Sequence, residues 1–266
     1  MCTLHLFYRV FPSAPVLFAA NRDENLDRSW REPARLSSDP PVFGPRDGSA
    51  GGTWLGLGAS GLLVSLANHF GTLGSGQSLC SRGFFVAEVL RRKTAREAAR
   101  FAAEAAPRCK AFTLLLADPD EAYVVDSSPR GFARHRLGAG THVITNAPFG
   151  DPGDAKAARS RRRMAALGEG EPPSLQDLAA FLSDHEPAAP ETTSLCVHPK
   201  DGDRFGTSSA SVVQLGAEGE VQRFLFCAGP PCSGSWSDRT EECRSSLRDE
   251  LLAPLPRLSG ALSPNR

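Results

Sequence analysis

Met1-Cys2-Thr3 opens the chain, and its reading decides what the rest of the fold has to support. Removal of Met1, which a second residue as small as Cys permits, makes Cys2 N-terminal, with a thiol and a free α-amine on one carbon. A thiolate is a strong nucleophile, and an α-amine of unperturbed pKa about 8 can act as its base. Nucleophile and base then share one residue, and no separate histidine is needed. A Met-Cys start is inert in most chains, so the remaining sequence has to supply a site around it.

The chain has 266 residues, enough for one large domain. Thirty Lys and Arg balance thirty Asp and Glu, which leaves no long-range field for nucleic acid or an anionic membrane. There is no integral-membrane stretch of about 18 apolar residues, and the start lacks a basic leader, so a cytoplasmic protein is expected. The seven cysteines (Cys2, Cys80, Cys109, Cys196, Cys227, Cys232, Cys243) are scattered and form no CxxC pair. That pattern argues against a disulfide framework or a structural zinc site and for reduced thiols; no cofactor and no metal ligand is assigned.

Cys2 to Val10 reads as a strand, Pro12 and Pro15 as a turn, and Val16 to Ala20 as a second strand that runs into Asn21-Arg22-Asp23-Glu24. Polar groups at the end of a buried strand are costly unless paired, so these four either cap a segment or face a site. Asn25 to Pro45, with Pro33, Pro40, Pro41 and Pro45, reads as a long ordered loop. Gly51-Gly52 before Thr53-Trp54 marks backbone that closely approaches another element. Gly61 to Ala67 is a buried strand ending at Asn68-His69, and Gly71 to Ser81 a flexible loop.

Helices are expected over Arg82–Arg92 and Thr94–Ala106, the second opening on Thr94 and Glu97 as in a capping box. Strands follow at Ala111–Ala117, Glu121–Val125, Phe132–Arg136 and Thr141–Thr145, as in a meander. Ala155 to Leu167 is a basic helix whose arginines read as a solvated face, and Leu175 to Leu182 is another helix. Strands return at Leu195–Val197, Ser209–Leu215 and Val221–Cys227, and a last helix runs through Leu247 to Leu252. The order predicts an α+β fold of layered antiparallel sheets with helices outside. Three strands end in Asn or Asp (Asn21/Asp23, Asn68, Asn146), which would make a polar pocket if they converge near Cys2.

Met1-Cys2-Thr3-Leu4 together with Ala20-Asn21-Arg22-Asp23-Glu24 resembles the NRDE family, which includes the transport and Golgi organisation protein 2 group. Pro33-Ala34, the run from Arg46-Asp47 to Ala50-Gly51-Gly52-Thr53-Trp54-Leu55-Gly56, and Gly206-Thr207 agree with it, from Met1 to about Phe226. The family resembles the N-terminal nucleophile (Ntn) hydrolases, nearest the penicillin V acylase and bile salt hydrolase branch. The resemblance implies a four-layer αββα sandwich over residues 1–228, with 229–266 as an extension. It implies catalytic roles for Cys2 as nucleophile, Asp23 orienting the Cys2 amine, and Asn146, in Thr145-Asn146-Ala147-Pro148, donating to the oxyanion. Asn21 matches the acylase motif, Asn68 is a candidate second donor, Ala20 occupies the place of the acylase arginine, and Arg22 follows it as a further candidate. The expected activity is cleavage of a linear amide C–N bond in a small molecule. The alternative is a non-enzymatic binding or trafficking protein for a hydrophobic ligand, haem or lipid, with Cys2 or His69 as a ligand.

Overall fold

A computed structural model describes residues 2–69, 80–128, 131–168, 170–185, 194–200 and 202–248. The apolar run at the start forms a hairpin of β1 (Thr3–Phe11) and β2 (Ala14–Asn25). Successive side chains of a strand alternate faces, and here both faces are covered. Leu4, Leu6 and Tyr8 of β1 and Val16, Phe18 and Ala20 of β2 pack inward against a second sheet. Phe7, Phe11, Leu17 and Ala19 pack outward against helices.

This hairpin is the centre of a six-stranded sheet in the order β10-β1-β2-β11-β12-β13. Its other strands are β10 (Gly140–Ile144), β11 (Phe205–Leu215), β12 (Val221–Ala228) and β13 (Ser235–Asp238). The second sheet runs β3 to β9 in sequence order, antiparallel throughout. Its strands are β3 (Trp30–Ser38), β4 (Pro41–Asp47), β5 (Leu55–Gly58), β6 (Leu63–Asn68), β7 (Phe112–Ala117), β8 (Ala122–Ser128) and β9 (Gly131–Leu137).

Helices α1 (Arg82–Val89) and α2 (Ala95–Ala105) pack Val86, Val89, Ala98 and Ala102 on the outer face of the second sheet. Helices α3 (Ala155–Ala165) and α4 (Leu175–Leu182) place Ala157, Met164, Leu178 and Phe181 on the outer face of the first. The fold is the expected αββα sandwich. Helix α5 (Thr240–Arg248) directs Cys243 and Leu247 into the core between the sheets, and β13 pairs with β12. Among the described residues no helix is long and apolar enough to cross a membrane.

Several expectations are corrected. The Pro-rich stretch expected as a loop is the β3–β4 hairpin, and two of its prolines sit where a sheet tolerates one. Pro33 lies on an edge strand beside a register shift and Pro41 begins β4. The meander stops at β9; β10 crosses to the first sheet and pairs with β1. Leu195–Val197 is irregular, held by backbone bonds to Asp184 and Thr207 and by the Asn21 and Thr207 side chains rather than by a ladder. The last helix begins before its expected position, and Leu247–Leu252 falls mostly outside the described residues, as does most of Gly71–Ser81. Cys80 and Cys109 form a disulfide that joins the approach to α1 to the end of α2, so the expectation of reduced thiols does not hold. Their 29-residue separation concealed it, since proximity comes from the α1–α2 turn.

Candidate active site

Cys2 immediately precedes β1, and strand register decides its neighbours. Thr3 pairs with Asn21 and Leu4 with Ala20 on one side, so Cys2 lies at the level of Arg22. On the other side Leu4 pairs with Ile144, and the same register carried on brings Asn146 alongside Cys2. Strand β11 adds Thr207 opposite Asp23 and Ser209 opposite Arg22, with a register shift between them. The Cys2 thiol donates to the Asp23 carbonyl at 3.7 Å. Burial pushes the thiol pKa up, and the N-terminal charge and Arg22 pull it back.

Alternation along β2 sends its polar residues to opposite faces. Asp23 faces the helix layer and is 4% exposed. Its Oδ1 accepts from the Thr207 hydroxyl at 2.6 Å, and its Oδ2 lies 3.2 Å from Nζ of Lys156 on α3, itself 3% exposed. Asn21 faces the same way and donates both amide hydrogens, to the carbonyls of Leu182 at 2.9 Å and Leu195 at 2.7 Å. It therefore ties β2 to the end of α4 and the segment after it.

Arg22 faces the second sheet. Its Nη1 donates to the Ser208 hydroxyl at 2.8 Å, and its guanidinium lies 4.2 Å from the centroid of Trp54. Glu24 and Asp47 are 3.6 and 3.7 Å from Nη2. Below Cys2, between the sheets, is a cavity of about 10 Å³ bounded by Leu4, Trp54, Ser65, Leu66 and Ser209, which holds one water at most.

At the far side of Cys2, Asn146 donates its amide to the Asn68 carbonyl, and the side-chain oxygens of both residues are buried without a partner among the described residues. His69 is a core histidine: its Nε2 donates to Asp126 at 3.0 Å beside the Thr113 hydroxyl at 2.6 Å. Asp126 also accepts from the Phe149 amide at 3.1 Å, which fixes the loop after Asn146. Of the expected residues, the strand ends thus gather Cys2, Arg22 and Asp23 at one point and Asn68 with Asn146 beside it, while Asn21 serves as a tether.

The family model described as Transport and Golgi organisation 2 matches residues 1–224. The chain belongs to that family. No curated protein matches it in sequence. Among solved structures it is similar to a Caenorhabditis elegans N-acylethanolamine-hydrolyzing acid amidase ortholog, with 15% identity, TM-score 0.52, and 82% of this chain and 93% of that one covered. It is also similar to a cysteine-to-alanine mutant of the Clostridium perfringens conjugated bile acid hydrolase, at 12% identity, TM-score 0.57, and 91% and 93% coverage. An arginine-to-leucine variant of that hydrolase gives 11% identity and TM-score 0.53 over the same shares of the chains. At these identities the likeness shows the Ntn-hydrolase fold alone.

In this chain the family motifs meet in space. Thr207 of Gly206-Thr207 holds Asp23, while Trp54 and Asp47 of the glycine-rich run hold Arg22. Lys156 was missed. The basic helix reads as solvated, yet Lys156, Arg159 and Ser160 share one helical face and are buried, with Arg159 2.6 Å from Asp184. Their i, i+3, i+4 spacing beside Ala157 and Met164 was the signal.

Proposed function

We propose that this protein is an N-terminal cysteine amidohydrolase acting on a linear amide C–N bond of a small molecule. The observation that carries the reading is the placement of Cys2 against Asp23, whose carboxylate is already anchored by Lys156 and Thr207. A carboxylate has about four acceptor sites, and Asp23 is the acceptor proposed for the α-amine that Met1 removal would create on Cys2.

In the proposed cycle that amine takes the thiol proton, directly or through a water, and Sγ bonds to the substrate carbonyl carbon. Asn146 would leave the Asn68 carbonyl and donate to the oxyanion, a contribution of about 3–4 kcal/mol where such donors have been removed. The tetrahedral species breaks its C–N bond as the amine returns the proton to the leaving nitrogen. Water then attacks the thioester, the amine accepts its proton, and the carboxylic acid and free thiol result. The cavity beneath Cys2 is too small for an acyl chain, so substrate would approach from the solvent side.

A binding or trafficking role for a hydrophobic ligand on the same fold is the second reading. It draws on the raised Cys2 thiol pKa and on the engaged Asn146 amide, both features of an idle site. The test is the intact mass of untagged protein before and after brief exposure to a thiol-reactive probe, followed by an amide panel with Cys2→Ala as control. Loss of Met1, rapid labelling of Cys2 and hydrolysis abolished by Cys2→Ala support the hydrolase. Retained Met1, or Cys2 no faster than the other free thiols, overturns it.

A further inference from the structure

Beyond α4 the chain carries His185, and the irregular segment 194–200 carries Cys196 and His198; the turn between β12 and β13 carries Cys232. These four residues, from two separate loops, bring two imidazole nitrogens and two thiol sulfurs within 4.8 Å of one another. The Nε2 atoms of His185 and His198 are 3.4 Å apart and the two sulfurs 3.8 Å apart. His198 Nε2 lies 3.8 Å from Cys196 Sγ and 3.4 Å from Cys232 Sγ.

Those separations can be compared with a tetrahedron. With metal–sulfur bonds of about 2.3 Å and metal–nitrogen bonds of about 2.05 Å, its edges are about 3.8 Å for S–S, 3.6 Å for S–N and 3.4 Å for N–N. Four of the six edges fall within about 0.2 Å of these values, and the two from His185 to the sulfurs lie within 4.8 Å, so a small shift of the His185 ring closes the tetrahedron. A disulfide between the two cysteines would need sulfurs about 2.05 Å apart, with no place for the histidines. His198 Nε2 faces both sulfurs, and the His185 ring stacks on the His198 ring and brings its own Nε2 to the same cluster.

We propose that His185, Cys196, His198 and Cys232 form a four-coordinate structural site for a divalent cation of the zinc class. Two thiolates neutralise the ion, two imidazoles complete the tetrahedron, and no position stays open for substrate. The surroundings are built to hold the ligands. The Asp184 carbonyl accepts from the amides of Leu195 and Cys196, both at 3.2 Å, and its carboxylate is clamped by Arg159 and Arg163. The ligand segment also reaches the Cys2 neighbourhood. The Leu195 carbonyl takes the Asn21 amide, and the Val197 amide donates at 2.8 Å to the same Thr207 hydroxyl that holds Asp23. The absence of a CxxC pair concealed the site, because its cysteines lie 36 residues apart and only Cys196-x-His198 is local.

The site stands whether or not Cys2 is a nucleophile, and its test does not use activity. Untagged full-length protein, dialysed under reductant without chelator, is expected to hold one zinc ion per chain by elemental analysis. Chelator-stripped protein given cobalt(II) is expected to show the visible bands of tetrahedral cobalt and a thiolate charge-transfer band. Cys232→Ser, at an exposed position, is expected to abolish both while keeping the circular dichroism of the fold. Cys232→His should retain the ion with a weaker charge-transfer band. Folded wild type with reduced thiols but neither zinc nor a cobalt spectrum would overturn the site. So would a Cys196–Cys232 disulfide in peptide mapping, or a metal content that survives both Cys196→Ser and Cys232→Ser.

Discussion

Asp23 and Lys156 form an ion pair with almost no water around it, and that decides what their loss does. Removing one partner leaves an uncompensated buried charge, whereas removing both can be nearly neutral. Lys156→Met is therefore expected to lower unfolding free energy by about 3–5 kcal/mol, and adding Asp23→Asn should restore much of it. Urea unfolding of the two variants checks this, and equal losses in both would show that the pair does not carry the effect. A second expectation concerns Cys2. With Met1 retained, burial holds its thiol pKa above the ordinary value, so alkylation at neutral pH is slow and quickens only at high pH. With Met1 gone the ammonium sits on Cys2 itself, and the alkylation profile should move to lower pH. Arg22 and Asp23 were legible as site residues because four polar residues end a buried strand. Lys156 was not, since its partner lies 133 residues away and no local pattern reports that distance.

Two close packings hold the helices against the sheets. A Cβ on Gly52 would lie 2.3 Å from the Gly83 carbonyl carbon at the start of α1, and the Thr53 amide donates to the Gly83 carbonyl at 3.1 Å. Gly52→Ala is thus an overpacking change expected to cost about 1–3 kcal/mol, seen as a lowered thermal midpoint. This contact was foreseen from the doubled glycine, although its partner was not. His5 docks the other helix layer. Its Nδ1 donates to the Ala19 carbonyl, Nε2 accepts from Ser160 of α3, and its ring meets Phe181 of α4 edge-on at 4.7 Å. Burial pulls its pKa down to about 3. A base depressed in the folded state gives stability that is present above its unfolded pKa of about 6.5 and lost as pH falls toward 3. The loss is about 1.4 kcal/mol per pH unit in that window. His5→Gln should flatten the decline in thermal midpoint between pH 6.5 and 4; an unchanged slope would assign acid sensitivity to other groups. The β3–β4 hairpin, by contrast, was misread because proline content alone does not reveal whether a strand lies at an edge.

Over the whole molecule, the order of strands and helices was enough to indicate layered antiparallel sheets, and the motif matches supplied the four-layer arrangement. What neither could supply was the set of long-range links, because cysteine and histidine spacing says nothing about loops that meet only after folding. Two such links now stand on opposite faces. The disulfide Cys80–Cys109 closes α1 and α2 over the second sheet, and the four-ligand cluster ties the segment after α4 to the β12–β13 turn on the first. Each outer layer packs its own sheet face in a separate hydrophobic cluster. Opening one link should therefore loosen one layer. Closing a loop of 29 residues restricts the unfolded chain by about 3–4 kcal/mol in the chain-entropy account, so a Cys80→Ala, Cys109→Ala double variant should be less stable by a comparable amount. Hydrogen exchange should then rise in α1 and α2 while α3, α4 and β1 remain protected. Stripping a metal from the intact disulfide form should do the reverse, with exchange rising in the segment 194–200 and in β2 near Asn21. Uniform loss of protection in both cases would mean that the layers unfold as one unit and that neither link acts locally.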